Sequence, residues 1–204
     1  MEALRRRLAE DQSMYPDLAL QGEATVGHIK GTVIGQTWPS RTAIARDGVH
    51  KPSVAGIWAG QNYAYSVVIS GGYDDDIDDG EIILYTGAGG RGKDEDSAYG
   101  GNVPQTEDQS FLNRGNAALR RSCEHRQPVR VIRGLFNREG KVYYRYDGLY
   151  DVTSAKLVQG KSGFLICQFR FERRDDQDPL PYIGPPDAIP ARPENKPRVR
   201  RRRS

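Results

Sequence analysis

The period of the apolar positions changes after the first dozen residues. In 2–11, Leu4 and Leu8 stand four apart among polar neighbours, the spacing of one short amphipathic helix. Beyond it come short runs rich in β-branched and aromatic residues and bounded by Gly, Pro or Asp: 32–34, 64–69, 81–85, 129–132, 142–146 and 164–171. Each predicts a strand. One internal stretch, 109–124, returns to helical spacing, with Leu112, Asn116, Leu119 and Cys123 on one face. With 23 glycines and strands at hairpin spacing, these elements predict a mainly β (α+β) fold, an antiparallel β-barrel flanked by a few helices.

Composition narrows the class. A length of 204 residues suits one good-sized core with appendages. No apolar run approaches the roughly 18 residues of a spanning helix. The opening Met1-Glu2-Ala3-Leu4-Arg5-Arg6-Arg7 carries charge where a secretory signal has its apolar stretch. An intracellular protein with no membrane partner is expected. Two cysteines, Cys123 and Cys167, give no disulfide framework and are expected in the core.

Charge is uneven along the chain. Between Pro185 and Ser204 seven Lys/Arg face Asp187 and Glu194, a net of +5, which leaves −2 for the rest of a chain whose net charge is +3. Seven of the twelve prolines fall between Pro179 and Pro197, so this tail is expected to lie outside any packed core. The closing Arg198-Val199-Arg200-Arg201-Arg202-Arg203 suits nuclear import or non-specific phosphate contact, and equally a solvated tail. The expected division is 1–25 as helix and lead-in, 26–181 as the domain, and 182–204 as a Pro/Arg-rich tail.

Several motifs fail on inspection. Gly87-Ala88-Gly89-Gly90-Arg91-Gly92-Lys93 satisfies G-x-G-x-x-G and nearly completes a P-loop. However, position 94 is Asp rather than Ser or Thr, and Asp94-Glu95-Asp96 would repel a phosphate. A nucleotide cofactor is not expected. The acids Asp74, Asp75, Asp76, Asp78, Asp79 and Glu81 lack the Gly and Glu of a calcium loop at positions 79 and 85. Most are expected to form a solvated turn. Three histidines and two cysteines are too scattered for zinc. Cys123 beside His125 reads as a buried thiol rather than a nucleophile, and no catalytic constellation or cofactor is expected.

One segment carries more specific chemistry. Val67-Val68-Ile69-Ser70-Gly71-Gly72-Tyr73-Asp74-Asp75-Asp76 leaves a strand through a glycine pair, and Tyr85-Thr86-Gly87 ends the returning one. Two tyrosines can stack on the faces of a flat heteroaromatic ring, while the glycines let backbone N–H groups reach its edge. An acceptor-only carboxylate such as Asp76 favours a ring with an amino donor, cytosine over thymine. Tyrosines near a hairpin also serve simply as packing residues.

These residues belong to a longer ordered series: Gly48-Val49-His50-Lys51-Pro52-Ser53-Val54-Ala55-Gly56-Ile57, the hairpin just quoted with Gly87-Ala88-Gly89-Gly90, Pro128-Val129-Arg130-Val131-Ile132-Arg133, Tyr146-Asp147-Gly148-Leu149-Tyr150 and Gly160-Lys161-Ser162-Gly163-Phe164. The series resembles the SRA-YDG (SET and RING associated) domain over roughly 26–181. The resemblance implies a distorted, SRA/PUA-like β-barrel that binds double-stranded DNA and flips a 5-methylcytosine, or a 5-hydroxymethylcytosine, into a pocket. It places base binding on Tyr73, Asp76, Tyr85, Thr86, Gly72, Ser70 and Gly56. Groove-loop and phosphate contacts fall on Lys51, Ser53, Val54, Arg91 and Lys93, with Val54 able to fill the vacated space. Tyr146-Asp147-Gly148 is expected to be structural. The second loop, 91–105, is acidic at Asp94-Glu95-Asp96 where a basic fingertip is expected, which argues against strict hemimethylated CpG preference. Arg114, Arg120 and Arg121 are further candidate phosphate contacts. Without SET, RING, PHD or HNH signatures, a non-enzymatic nuclear reader with chromatin proteins as further partners is expected, with a bacterial cytoplasm as the alternative location. The competing readings are the recognition subunit of a modification-dependent nuclease, a non-flipping chromatin interaction module, and a pocket for free nucleoside.

Overall fold

The computed structural model describes residues 24–91 and 105–181. Within them run β1 (Thr37–Trp38), α1 (Arg41–Arg46), β2 (Ile57–Ala59), β3 (Ala64–Ile69), β4 (Ile77–Asp78), β5 (Ile82–Thr86), α2 (Arg114–Glu124), β6 (Val129–Phe136), β7 (Val142–Gln159) and β8 (Leu165–Arg173). The strands join in the order β2-β3-β6-β7-β8-β5-β4, with β1 added beside β7. The mainly β class with few helices is as expected. The pairing path is open at β2 and β4 among the described residues rather than closed into a ring. One pair departs from antiparallel: β3 runs parallel to β6, Ser66 opposite Arg130 and Ile69 opposite Arg133.

Both faces of the sheet are covered, which is why β3 reads as a nearly continuous apolar run. Successive side chains alternate, so Val67 and Val131 enter one cluster with Ile83, Leu119, Phe169 and Phe171, while Val68 and Ile132 enter another with Trp38, Ile44, Val49 and Tyr146. The first lies under α2 and the second under α1. Cys167 is buried in the first cluster as expected, and Cys123 is only half-buried against it. Among the described residues no helix is long and apolar enough to cross a membrane.

Four expectations need correction or extension. Residues 32–34 are a turn, because Gly31 and Gly35 flank them with φ of +87° and +86° and Thr32 and Gln36 close back onto Ile29 and Val33; Val33 is 65% exposed. The internal helix starts at Arg114 rather than 109, since Asn113 caps it by accepting from Gly115 N at 2.9 Å. That leaves Leu112 outside the helix and 94% exposed. β7 extends far beyond 146 because it pairs first with β6 and then with β8. The Tyr-Asp-Gly triplet lies within it: Val131 faces Gly148 and Ile132 faces Tyr146, making Asp147 the extra residue of a bulge. Gly148, at φ +102°, takes a conformation there that L side chains rarely adopt. The helix expected at 2–11 and the tail at 182–204 lie outside the described residues.

Candidate nucleic-acid interface

The hairpin between β3 and β5 carries the candidate pocket. Gly71, at φ +62°, turns the chain out of β3, and Asp76 N donates to Tyr73 O at 3.2 Å to close the turn. Asp76 Oδ1 then accepts from Thr86 N at 2.8 Å, tying the turn to the end of β5. Burial is the main influence on this carboxyl and pushes it up to about 6, against the opposing pull of the Thr86 and Tyr73 hydrogen bonds. The Thr86 hydroxyl is buried beside it, close enough to favour the carboxylate without forming a hydrogen bond of proper geometry.

The two tyrosines differ in setting. Tyr85 is buried and meets Phe171 edge-on at 5.8 Å. Burial raises its phenol strongly, with Asp76 and Tyr73 adding to the effect. Tyr73 is half-buried, donates its hydroxyl to Gly89 O at 3.1 Å, and carries the Arg91 guanidinium 4.1 Å from its ring centroid. Arg91 also donates to Gly72 O at 2.5 Å. Tyr73, Asp76, Tyr85 and Thr86 are therefore brought together, with Gly72 and Arg91 at one side. Ser70 is exposed at the end of β3.

Gly56 reaches this group from the first loop: a Cβ there would lie 2.8 Å from the Tyr85 hydroxyl, and Gly56 O accepts from Val68 N at 2.7 Å. The loop projects Ser53 and Val54, both exposed, Val54 by 52%. Lys51 is half-buried, its ammonium 5.7 Å from the Trp58 ring centroid. Arg41 spans the loop by donating to Pro52 O at 3.1 Å and to Ala55 O, and meets His50 Nε2 at 3.1 Å. His50 Nδ1 faces Ser66 Oγ at 2.8 Å. Burial, reinforced by Arg41, pushes His50 down to about 3, so its ring is neutral.

Lys93 lies outside the described residues. The α2 arginines are each engaged within the chain: Arg114 with Ala59 O at 3.4 Å, Arg120 with Glu124 at 2.9 Å, and Arg121 with Gln61 O and Asn62 O. Sequence reasoning missed Arg41, Gln109 and Asn116. Gln109 links the segment just after β5 to β8, donating to Gly87 O at 2.9 Å and accepting from Cys167 N at 3.0 Å. Asn116 holds Ala88 through both N and O at 2.8 and 2.9 Å. A polar residue on an otherwise apolar helix face was the available signal for Asn116. Nothing local marked the other two. Among the described residues no group of three His, Cys, Asp or Glu converges to hold a metal ion.

Comparison with known proteins shows what the chain is similar to. The SAD/SRA domain model matches residues 25–177. A UHRF1-like protein of Cryptococcus neoformans var. grubii is 48% identical over 166 residues, covering 77% of this chain and 48% of that protein. The chain thus spans about half the length of that curated relative. Among solved structures, the SUVH5 SRA domain is similar in its complexes with fully methylated CG DNA (TM-score 0.63, 34% identity) and fully hydroxymethylated CG DNA (0.64, 35%). Each covers 78% of this chain and 99% of that one. The modification-dependent TagI restriction endonuclease aligns with a TM-score of 0.66 at 36% identity, covering 76% of this chain and 54% of its own. Matched over three quarters of its length and across the whole candidate pocket, the chain belongs to the SAD/SRA domain family.

Proposed function

We propose that this chain binds double-stranded DNA containing 5-methylcytosine, or 5-hydroxymethylcytosine, and holds the modified base flipped out of the duplex between Tyr73 and Tyr85. The observation that carries this reading is the Asp76 carboxyl, half-buried beside both tyrosines and fixed by Thr86 N at 2.8 Å. With Oδ1 so held, the carboxylate's second oxygen can accept from the amino edge of cytosine. Ser70, Gly72 and Gly56 supply backbone and close approach, while Val54 and Ser53 enter the groove and Lys51, Arg91 and Lys93 meet phosphates. Flipping costs a few kcal/mol, which stacking on two rings plus edge hydrogen bonds offsets. Burial of one methyl contributes only about 0.8 kcal/mol, so pocket shape must sharpen the preference.

The domain at 26–181 is the reader in this assignment, with 1–25 and 182–204 as flanking segments, and its role is binding rather than catalysis. A nuclear location with chromatin proteins as further partners is the companion proposal, and the Arg-rich tail supports it. Likeness to the TagI endonuclease supports a second reading, recognition on behalf of a nuclease, which predicts metal-dependent cutting by the chain with its partner subunit.

The test is fluorescence anisotropy at fixed salt with duplexes carrying unmodified, hemimethylated, fully methylated or hydroxymethylated cytosine. Wild type should prefer the modified duplexes, and Asp76→Ala and Tyr73→Ala should each weaken that binding by about 1–3 kcal/mol while leaving plain DNA unaffected. Equal binding of all four duplexes by wild type and mutants would refute the pocket.

A further inference from the structure

The acids on either side of Asp76 are committed elsewhere. Asp78 accepts from Arg133 Nε at 2.6 Å and Nη2 at 2.7 Å, a bidentate pair whose arginine side chain is 4% exposed. The same guanidinium donates to Gly80 O at 2.7 Å and to Asp147, the buried bulge residue of the Tyr-Asp-Gly triplet. Asp147 is held in turn by Arg145 Nε at 2.5 Å and Nη2 at 3.1 Å, and the Tyr150 hydroxyl donates to Gly80 O at 2.8 Å. Two arginines and two carboxylates thus balance, the condition for keeping such charges buried. On the other side, Asp75 Oδ1 accepts from Lys161 N at 2.9 Å, and the Lys161 ammonium donates to Asp74 O. Gly160 packs so closely that a Cβ there would lie 3.1 Å from Asp75 Oδ2.

The turn bearing Tyr73 and Asp76 is therefore anchored at both ends to remote parts of the chain. These anchors add to the local ties of Asp76 to Thr86 N and of Tyr73 to Gly89 O in a turn where Asp74, Ile77 and Asp79 are exposed and β4 is two residues long. We infer that Asp75 and Asp78 are positioning residues for the base pocket. Through them the Gly-Lys-Ser-Gly loop and the Tyr-Asp-Gly bulge set the place of Asp76 and thereby the selectivity for the modified base. The inference rests on the reading of Asp76 as the base-reading group. A turn fixed before binding loses less freedom when the base arrives, and a reading carboxylate must be held to within a fraction of an ångström of its working position.

The test uses Asp78→Asn, which removes the charge but keeps an acceptor for Gly80 N, the conservative Asp78→Glu, and Asp75→Ala. The full chain is titrated into 5-methylcytosine and unmodified duplexes, with 2-aminopurine beside the modified base reporting unstacking, and thermal midpoints are recorded. Asp78→Asn and Asp75→Ala should each reduce the ratio of modified to plain affinity about fivefold and dim the 2-aminopurine signal. Plain-duplex affinity should stay within about twofold, and Asp78→Glu should restore most of the ratio. If Asp78→Asn does not fold, Asp75→Ala decides alone. A selective wild type whose variants keep its ratio, or lose both affinities equally, overturns the positioning role and leaves the pocket reading intact. A wild type with no preference overturns the pocket reading, and the positioning role falls with it.

Discussion

Asp76 holds its proton more tightly folded than unfolded, because burial penalises its charge more than the Thr86 and Tyr73 hydrogen bonds favour it. Its folded value of about 6 lies above the ordinary 3.8. The proton therefore stabilises the folded state fully below the unfolded value, and that contribution is lost as pH rises toward 6. Relative to Asp76→Asn, wild type should lose on the order of 2 kcal/mol of stability between pH 3.5 and 7, a trend that denaturant melts at stepped pH would read directly. A flat or rising difference would mean that the carboxyl is not desolvated. At this scale the sequence was informative about residue type and silent about partners. Tyr73, Asp76 and Tyr85 stand out as an aromatic-acid-aromatic set, whereas most of the acids around Asp76 read as a solvated turn. In the structure Asp74 and Asp79 are exposed, but Asp75 and Asp78 are engaged by Lys161 and Arg133, 86 and 55 positions away. No local pattern encodes partners at such separations.

At the level of elements, the first loop and the pocket hairpin form one unit joined at Gly56. A methyl added there would meet the Tyr85 hydroxyl at 2.8 Å, closer than real Cβ contacts come. Because Tyr85 is packed against Phe171, the loop must yield. Gly56→Ala should therefore weaken binding to methylated duplexes by about 1–3 kcal/mol, measured by the same anisotropy titrations, and shift the thermal midpoint only modestly. Loss of plain-DNA affinity to the same extent would contradict a local effect. Strong strands were legible where β-branched and aromatic residues run together, as in Ala64–Ile69. β1, β2 and β4 have only two or three residues each, too few for alternation to register, and only their pairing partners make them strands. Leu112 matches the apolar spacing while Asn113 supplies the cap, and capping geometry prevails over periodicity at an end.

For the whole molecule, charge and fold separate. The basic excess sits beyond Pro185 and the remainder is slightly acidic, so sequence-independent affinity should reside largely in the tail. Deleting residues 185–204 should lower affinity similarly for modified and plain duplexes and flatten the slope of log K against log salt; a loss confined to methylated DNA would reverse that assignment. The mainly β class followed from strand spacing, yet the parallel β3–β6 pair did not, because hairpin-spaced runs suggest neighbours that pair in order. Here β4, β5 and α2 intervene between the partners. That crossover has a consequence for biosynthesis. Ser66 and Arg130 pair across 64 positions, so the inner edge of the apolar β3 stays open until β6 has left the ribosome, roughly 3–13 s at usual elongation rates of 5–20 residues per second. During that interval the chain presents an unpaired, strongly apolar strand edge to its surroundings, and the segment that carries the proposed base pocket is among the residues being made.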